Sequence, residues 1–157
     1  MADLLTHYVS GRILGIGFQH RVTATIFTLG VFFPDLVKLG GLLPGTAPMI
    51  EVPSHTPFGL IFACAAACQI FAGSIRWRAF GALYLGSMTH LLIDLMKDYL
   101  GSGAVYLLHP FSHETFELGL YRSEDVFYFL PANIGILGIL WIMERRRRPI
   151  RTASTNP

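Results

Sequence analysis

A histidine and an aspartate stand four residues apart in one apolar stretch of the chain, at His90 and Asp94. In a helix, residues at i and i+4 project from the same face, one turn apart. Neutral imidazole and carboxylate are ordinary ligands of zinc, iron and manganese, so this pair could bind a divalent metal ion. A hydrogen-bonded polar pair that joins two helices accounts for the same spacing equally well.

Three further imidazole or carboxylate groups stand in polar breaks beside apolar runs, at His7, Asp35 and His55. Taken singly, each has an ordinary structural role: Asp35 as a turn or cap residue, His55 as an interfacial polar residue, and His7 as an exposed side chain. Together with His90 and Asp94 they supply ligands from separate segments, which favours a metal site over five unrelated polar residues.

A second candidate set lies within one polar loop. The sequence predicts a short helix that begins at Pro110, with His113 and Glu117 on one face. His109 is a further candidate ligand, and Glu117 or Glu114 could act as a general base toward metal-bound water. The alternative, which suits Glu117 somewhat better, is an amphipathic surface helix whose phenylalanines enter the membrane interface.

The bulk composition is typical of a membrane protein. Of 157 residues, 52% are hydrophobic and only 14% are charged, whereas soluble domains usually carry about 25% charged residues. The formal charge of +2 conceals a run of arginines at 145–148, and no basic face extends along the rest of the chain, so no nucleic-acid partner is expected. The length predicts a single membrane-embedded helical domain over 1–148, followed by a flexible tail at 149–157.

Four stretches are apolar enough to form membrane-associated helices. They are residues 22–36, 57–75, 79–96 and 126–143. The second and the last carry no charge, and each is about long enough to cross a hydrocarbon core of roughly 30 Å. The third contains His90 and Asp94, and ionisable groups within a span normally face the protein interior or a wet cavity. The sequence therefore predicts an all-α fold, an integral membrane bundle of about four membrane-associated helices.

The arginines predict how this bundle is oriented. Cytoplasmic segments collect lysine and arginine, so the run at 145–148 places the C-terminus in the cytoplasm. Arg76 and Arg78, between two apolar stretches, fit the same side. Counting the helices back from the C-terminus then assigns the opposite, outer face to the acid and imidazole groups.

The residues assigned to the outer face are His55, the end of the His90–Asp94 helix and the loop at 97–124. Asp35 joins them if residues 22–36 run outward. His7 can join them only if residues 1–21 form a separate surface or re-entrant segment, because a single span over 13–35 would leave it on the inner face.

Five short segments, in this order, resemble the bacterial membrane-bound metal-dependent hydrolases, the family that includes inner-membrane hydrolases that bind LexA. The segments are Thr6-His7-Tyr8-Val9-Ser10-Gly11, Phe33-Pro34-Asp35, Ser54-His55-Thr56, Thr89-His90-Leu91-Leu92-Ile93-Asp94 and Leu108-His109-Pro110-Phe111. The chain departs from this resemblance at Val37, where the family often carries a second acidic residue. The resemblance implies a metal-dependent hydrolase in the bacterial inner membrane.

The same order of ligands is similar to that of zinc-dependent phospholipase C, a helical enzyme with a multinuclear zinc site. That similarity implies the metal ligands His7, Asp35, His55, His90 and Asp94, with Asp94 bridging two ions. It also implies that His109, His113 and Glu117 are further ligands. The expected cofactor is a divalent metal, with zinc as the first choice and one to three ions.

The predicted function is hydrolysis of a phosphoester or other ester of a lipid or envelope component by a metal-activated water. The membrane lipid is then both the surroundings and a source of substrate. The alternative is a non-catalytic membrane subunit or scaffold, whose His/Asp cluster is structural or binds metal for stability. A transporter is disfavoured by the small number of spans and the lack of an internal repeat. The sequence does not indicate an oligomeric state.

Overall fold

The chain is mostly helical in the computed structural model, which describes residues 4–40, 52–98 and 105–147. The helices are α1 (Leu4–Gly15), α2 (Arg21–Leu39), α3 (Pro57–Ala67), α4 (Gly73–Leu95) and α5 (Val126–Arg147). Short 3-10 turns cover Cys68–Ile70 and Ser123–Asp125, and two-residue strands β1 (Lys97–Asp98) and β2 (Tyr121–Arg122) pair in parallel. The helical prediction is therefore confirmed, with one small strand pair added. The predicted tail at 149–157 lies outside the described residues.

The contact between α2 and α4 forms the core of the fold. The two helices run in the same direction and their backbones touch, because glycines meet at the crossing. A Cβ added at Gly86 would lie 2.1 Å from the Phe27 carbonyl oxygen, and one added at Gly30 would lie 2.3 Å from the Leu83 carbonyl oxygen. Neither position has room for a side chain. Buried apolar residues surround the crossing, among them Ile26, Val31, Cys64, Ala79 and Ala82.

Helix α1 lies antiparallel on α2 because the chain reverses direction over residues 16–20. A Cβ added at Gly11 would lie only 3.1 Å from Val31 Cγ2, so the glycine allows α1 to approach closely. The chain therefore breaks before Arg21, which His7 requires in order to lie near the other candidate ligands. The start of α1 lies beside the end of α2. Helix α3 packs antiparallel on α4, since Leu60 shares an apolar cluster with Leu91 while Cys64, later in α3, lies 3.7 Å from the earlier Ser87.

Helix α5 attaches to the rest of the structure mainly through α1. The Asn133 amide donates a hydrogen bond to Thr6 Oγ1 at 2.9 Å, and Arg12 forms an ion pair with Glu144. The earlier residue of α1, Thr6, contacts the earlier residue of α5, and the later residue, Arg12, contacts the later one, so α1 and α5 run parallel. The helix directions therefore bring the ends of α2 and α4 and the starts of α1, α3 and α5 to one end of the bundle.

Within the described parts of the chain, two helices are long and apolar enough to cross a membrane, Arg21–Leu39 and Phe127–Arg146. The second coincides with the predicted span at 126–143, and the first extends the predicted stretch at 22–36 in both directions. The predicted span at 57–75 is wrong in length, since the apolar helix covers only Pro57–Ile70. Hydropathy runs on through the turn because Phe71 and Ala72 are apolar too, although the backbone there reverses toward α4. The predicted span at 79–96 belongs to α4, which begins at Gly73 and is not among the helices of spanning character.

Candidate metal centre

The predicted His90–Asp94 pair lies on the buried face of α4, close to the C-terminal end of that helix. Both residues are almost fully buried, and His90 Nε2 lies 3.1 Å from Asp94 Oδ2. The other ring nitrogen, His90 Nδ1, lies 2.8 Å from the Val31 carbonyl oxygen of α2. A carbonyl can only accept, so Nδ1 carries a proton and Nε2 faces the carboxylates, which is the orientation of a metal-binding histidine.

Pro34 makes the end of α2 available for contacts with α4. It lies inside the helix rather than in a turn, and because it has no N–H, the Gly30 carbonyl loses its partner within the helix. The hydroxyl of Ser87 in α4 lies 3.1 Å from that Gly30 oxygen and 3.0 Å from the Leu83 carbonyl oxygen of its own helix, so it can donate its one hydrogen to the freed carbonyl. Asp35, the next residue, is also helical, because α2 continues to Leu39. The expectation that Asp35 could serve as a turn or cap residue is therefore wrong.

His55 reaches the same place from the turn before α3. Thr56 caps α3 by accepting a hydrogen bond from a first-turn N–H at 3.1 Å, which fixes the backbone next to the histidine. His55 Nδ1 lies 2.9 Å from the hydroxyl of buried Ser54. His55 Nε2 then points at two carboxylates, 3.4 Å from Asp35 Oδ1 and 4.0 Å from Asp94 Oδ2.

His7 completes the cluster from the first helix. It is fully buried, its ring lies against that of His90 with the centroids 4.2 Å apart, and its Nε2 lies 3.6 Å from Asp94 Oδ1. The turn between α1 and α2 places it here, next to the end of α2. Asp94 therefore presents one oxygen toward His7 and the other toward His55 and His90.

These five residues form what we call the His/Asp cluster: His7, Asp35, His55, His90 and Asp94. Their ligand atoms make two overlapping groups, one of His7, His90 and Asp94 and the other of Asp35, His55 and His90, and within each group the atoms lie within 4.8 Å of one another. Ligands bound tetrahedrally to zinc at about 2.1 Å lie roughly 3.4 Å apart, close to the observed separations. The cluster could therefore hold a metal ion.

No family model, curated protein or solved structure matches the chain. The assignment of this site therefore depends on the geometry of the cluster itself. The resemblance to membrane-bound metal-dependent hydrolases and to phospholipase C stays a prediction.

Lys97 was not among the residues predicted for the site, yet it is only 1% exposed and its ammonium group forms an ion pair with Asp94 Oδ1. Its backbone is held by the pairing of β1 with β2 and by the Leu120 N–H, which donates to the Met96 carbonyl oxygen at 2.8 Å. The sequence offers only one signal for this role, the i, i+3 spacing from Asp94. The backbone position of this lysine depends on pairing with a later segment of the chain, which the local sequence pattern does not show.

The second candidate set, which we call the loop group, consists of His109, His113, Glu114 and Glu117. The predicted helix from Pro110 does not form, because backbone hydrogen bonds between Val105 and Phe116 close this stretch into a loop. The rings of the two histidines lie 5.4 Å apart, and the two glutamates are exposed. Within the described residues, no member of the loop group shares a potential metal site with three ligands.

Proposed function

We propose that this protein is a metal-dependent hydrolase of the bacterial inner membrane that acts on a phosphoester or other ester of a lipid or envelope component. One observation carries the proposal. With Nδ1 held by the Val31 carbonyl oxygen, His90 directs Nε2 at carboxylate oxygens 3.1 and 3.8 Å away, and among the described residues this buried nitrogen has no hydrogen bond of acceptable geometry. Two carboxylates and two further imidazoles converge on the same buried place, and a divalent metal, most simply zinc, is the cation that such a set of ligands suits.

The surface of the helices supports a membrane location. α2 has 19 residues and α5 has 22, which at 1.5 Å per residue gives lengths of about 28 and 33 Å, close to a hydrocarbon core. α5 is exposed along most of its length, with Phe127, Tyr128 and Ile134 each more than half exposed. Apolar surface of this extent fits lipid far better than water. We therefore assign α2 to α5 to a membrane-associated bundle, with α3 too short to span it alone.

The distribution of charge supports the predicted orientation. The end of the bundle opposite the His/Asp cluster carries the basic residues Arg12, Arg21, Arg76, Arg78, Arg145 and Arg146. The Arg145 guanidinium lies 4.7 Å from the centre of the Trp141 ring, and such aromatic residues are common at membrane interfaces. Because arginine accumulates on the cytoplasmic side, the C-terminus is cytoplasmic and the cluster lies at the outer face.

The side from which the cluster is accessible supports a lipid-like substrate. The side chains of Asp35 and His55 are 34% and 20% exposed, whereas those of the other three members are buried. Exposed apolar residues adjoin this opening, since Leu36 follows Asp35 and the ring of Phe58 packs against that of Phe111 at 5.5 Å. A substrate with a polar ester and an apolar tail would contact both kinds of surface. Bound metal would supply an activated water and polarise the ester.

A scaffold with a structural cluster is the second candidate, and Lys97 is the observation that favours it. Its ammonium group already compensates Asp94, so part of the cluster is a satisfied ion pair. Under this alternative the cluster joins α1, α2 and α4 without chemistry.

Metal analysis of the purified protein tests the proposal. We expect at least one equivalent of zinc per chain in the wild type and near-complete loss in His90→Ala. His20→Ala is the matched control, because His20 is exposed at the start of α2, away from the cluster. Wild type without metal, or His90→Ala with full metal content, would rule out the metal centre.

A hydrolysis assay then separates the two candidates. Zinc-loaded wild type and His90→Ala are compared on bis(p-nitrophenyl) phosphate and on phospholipid vesicles. Turnover that disappears with His90→Ala supports the hydrolase. Metal binding with no turnover of phosphoesters, carboxylic esters or lipids supports the scaffold.

A further inference from the structure

The two oxygens of Asp94 face different partners. Oδ2 lies 3.1 Å from His90 Nε2 and 4.0 Å from His55 Nε2, whereas Oδ1 meets the Lys97 ammonium group and lies 3.6 Å from His7 Nε2. The Asp94 carboxylate thus has His55 and His90 at one oxygen. At the other oxygen it has a cation, the Lys97 ammonium group, beside His7. A second metal ion bridged through Asp94 would need Oδ1, and Lys97 occupies that oxygen.

Lys97 is held in this position by the backbone on both sides of it. The Leu118 N–H donates to the Leu95 carbonyl oxygen at 2.7 Å, and β1 pairs with β2 at Lys97 and Tyr121. The hydroxyl of Tyr121 also donates to the Ile93 carbonyl oxygen at 3.2 Å. Hydrogen bonds from the segment at 118–122 therefore fix the backbone around the lysine, whose side chain is 1% exposed. A buried ammonium separated from its carboxylate is strongly disfavoured, so Lys97 stays on Asp94.

The charge balance of the site leads to the same result. Asp35 and Asp94 supply two negative charges and Lys97 supplies one positive charge, so a single divalent ion leaves the site with one net positive charge. A second divalent ion would raise this to three positive charges in a largely buried place. Within the described ranges no further Asp or Glu joins the ligand groups to offset it, and uncompensated buried charge is costly.

We infer that Lys97 takes the place of a second metal ion and confines the centre to one ion. This inference rests on the proposed metal centre and makes it more specific. Lys97 is a positioning residue, because it acts on the metal through Asp94: it holds Oδ1 and leaves Oδ2 for the ion shared by His55 and His90. His7, on the Lys97 side, then packs against His90 and Asp94 rather than binding a second ion.

Zinc titration of detergent-purified protein, with bound metal measured by mass spectrometry, tests this role. We expect wild type to saturate at one tightly bound zinc per chain. Lys97→Met removes the charge while keeping similar length, and it should bind a second zinc through Asp94 Oδ1 and His7. Lys97→Arg should restore the limit of one, and Lys38→Met, at the chain's other lysine, which is exposed, should leave the limit unchanged.

The outcomes separate this inference from the proposal beneath it. Wild type with two tightly bound ions, or folded Lys97→Met with one, overturns the role of Lys97 and leaves the metal centre intact. Wild type with no ion overturns both. If Lys97→Met does not fold, electron paramagnetic resonance of wild type loaded with excess Mn²⁺ decides: the signal of isolated ions supports the inference, and that of a spin-coupled pair contradicts it.

Discussion

The His/Asp cluster and the loop group contain the same kinds of side chain, but the backbone holds them differently. The members of the cluster come from α1, α2, α4 and the turn before α3, and their ligand atoms lie within 4.8 Å of one another in each of two groups. The loop group comes from one stretch of nine positions, 109–117, yet it forms no such group. Helix packing brings the ligand atoms of the cluster together, whereas closeness along the chain does not bring those of the loop group together.

A second difference lies in what supports each histidine. In the cluster, Val31 contacts Nδ1 of His90 and Ser54 contacts Nδ1 of His55, so the opposite nitrogens point at the carboxylates. In the loop group, Nδ1 of His109 is buried with no hydrogen-bond partner among the residues that the structure describes. Support of this kind orients metal ligands and raises their affinity. The comparison therefore predicts that metal binding depends on the cluster and its supporting residues and is independent of the loop group.

The largest effect should follow Asp94→Asn, which removes the carboxylate between the two sides of the cluster. We expect bound zinc to be lost and the free energy of unfolding to fall by about 3–5 kcal/mol, since a buried ammonium at Lys97 would lose its partner. Denaturant unfolding and metal analysis measure the two effects.

The double variant Asp94→Asn/Lys97→Met separates these effects. It should recover most of the lost stability, because no buried charge remains, while zinc stays absent. If the double variant binds zinc as wild type does, Asp94 is not a ligand and the comparison fails.

The next largest effect should follow Gly86→Ala, which tests whether backbone contact between α2 and α4 forms the cluster. The added Cβ would lie 2.1 Å from the Phe27 carbonyl oxygen and 2.8 Å from Gly30 Cα, so the helices must separate, at a cost of about 1–3 kcal/mol or more. Zinc affinity should fall as well, because His90 would shift away from Asp35.

Gly81→Ala is the matched control for that prediction. Gly81 lies on the same helix, and a Cβ there meets nothing within 4 Å. Helix propensity alone favours alanine by up to about 1 kcal/mol, so this variant should unfold at the same or slightly higher denaturant concentration. Equal loss of stability in both variants would show that the effect of Gly86→Ala does not come from the contact between α2 and α4.

A smaller effect should follow Ser54→Ala, which removes the hydroxyl beside His55 Nδ1 and leaves every proposed metal ligand in place. Supporting residues of this kind usually contribute about 10- to 100-fold to metal affinity. We expect zinc affinity to fall within that range while the fold is retained, as measured by competition with a zinc chelator. Ser74→Ala, at an exposed serine at the start of α4, should leave affinity unchanged.

Much of the cluster could be predicted from the sequence: His7, Asp35 and His55 stand at the boundaries of apolar runs, where helix ends fall, and His90 and Asp94 share a helix face by their i, i+4 spacing. The break before Arg21 was visible in the same way. Lys97 could not be predicted, since its backbone position depends on pairing with the segment at 118–122, which comes much later in the chain. The support of Ser87 for α2 at Pro34 was equally hidden, because it joins residues far apart in the chain.

The errors in the predicted fold have a similar origin. Apolar residues in a turn resemble those of a helix, so hydropathy predicts one span over 57–75, although the backbone reverses before Gly73. In the loop, Pro110 looked like a helix start, but hydrogen bonds between Val105 and Phe116 close the segment first. Local pattern identifies ligand types and helix boundaries, whereas pairing across the chain determines which side chains meet.

The smallest effect should follow replacement of the loop group, with His109→Ala, His113→Ala and Glu117→Gln combined in one variant. These residues contribute to neither ligand group, so zinc stoichiometry should stay at the wild-type value and affinity should change by no more than about twofold, within the ordinary scatter of surface substitutions. Competition with a zinc chelator measures the affinity, and His90→Ala in the same assay shows that a loss would be detected. A loss of tenfold or more would mean that the loop supplies a ligand when metal binds, and the two groups would then form a single site.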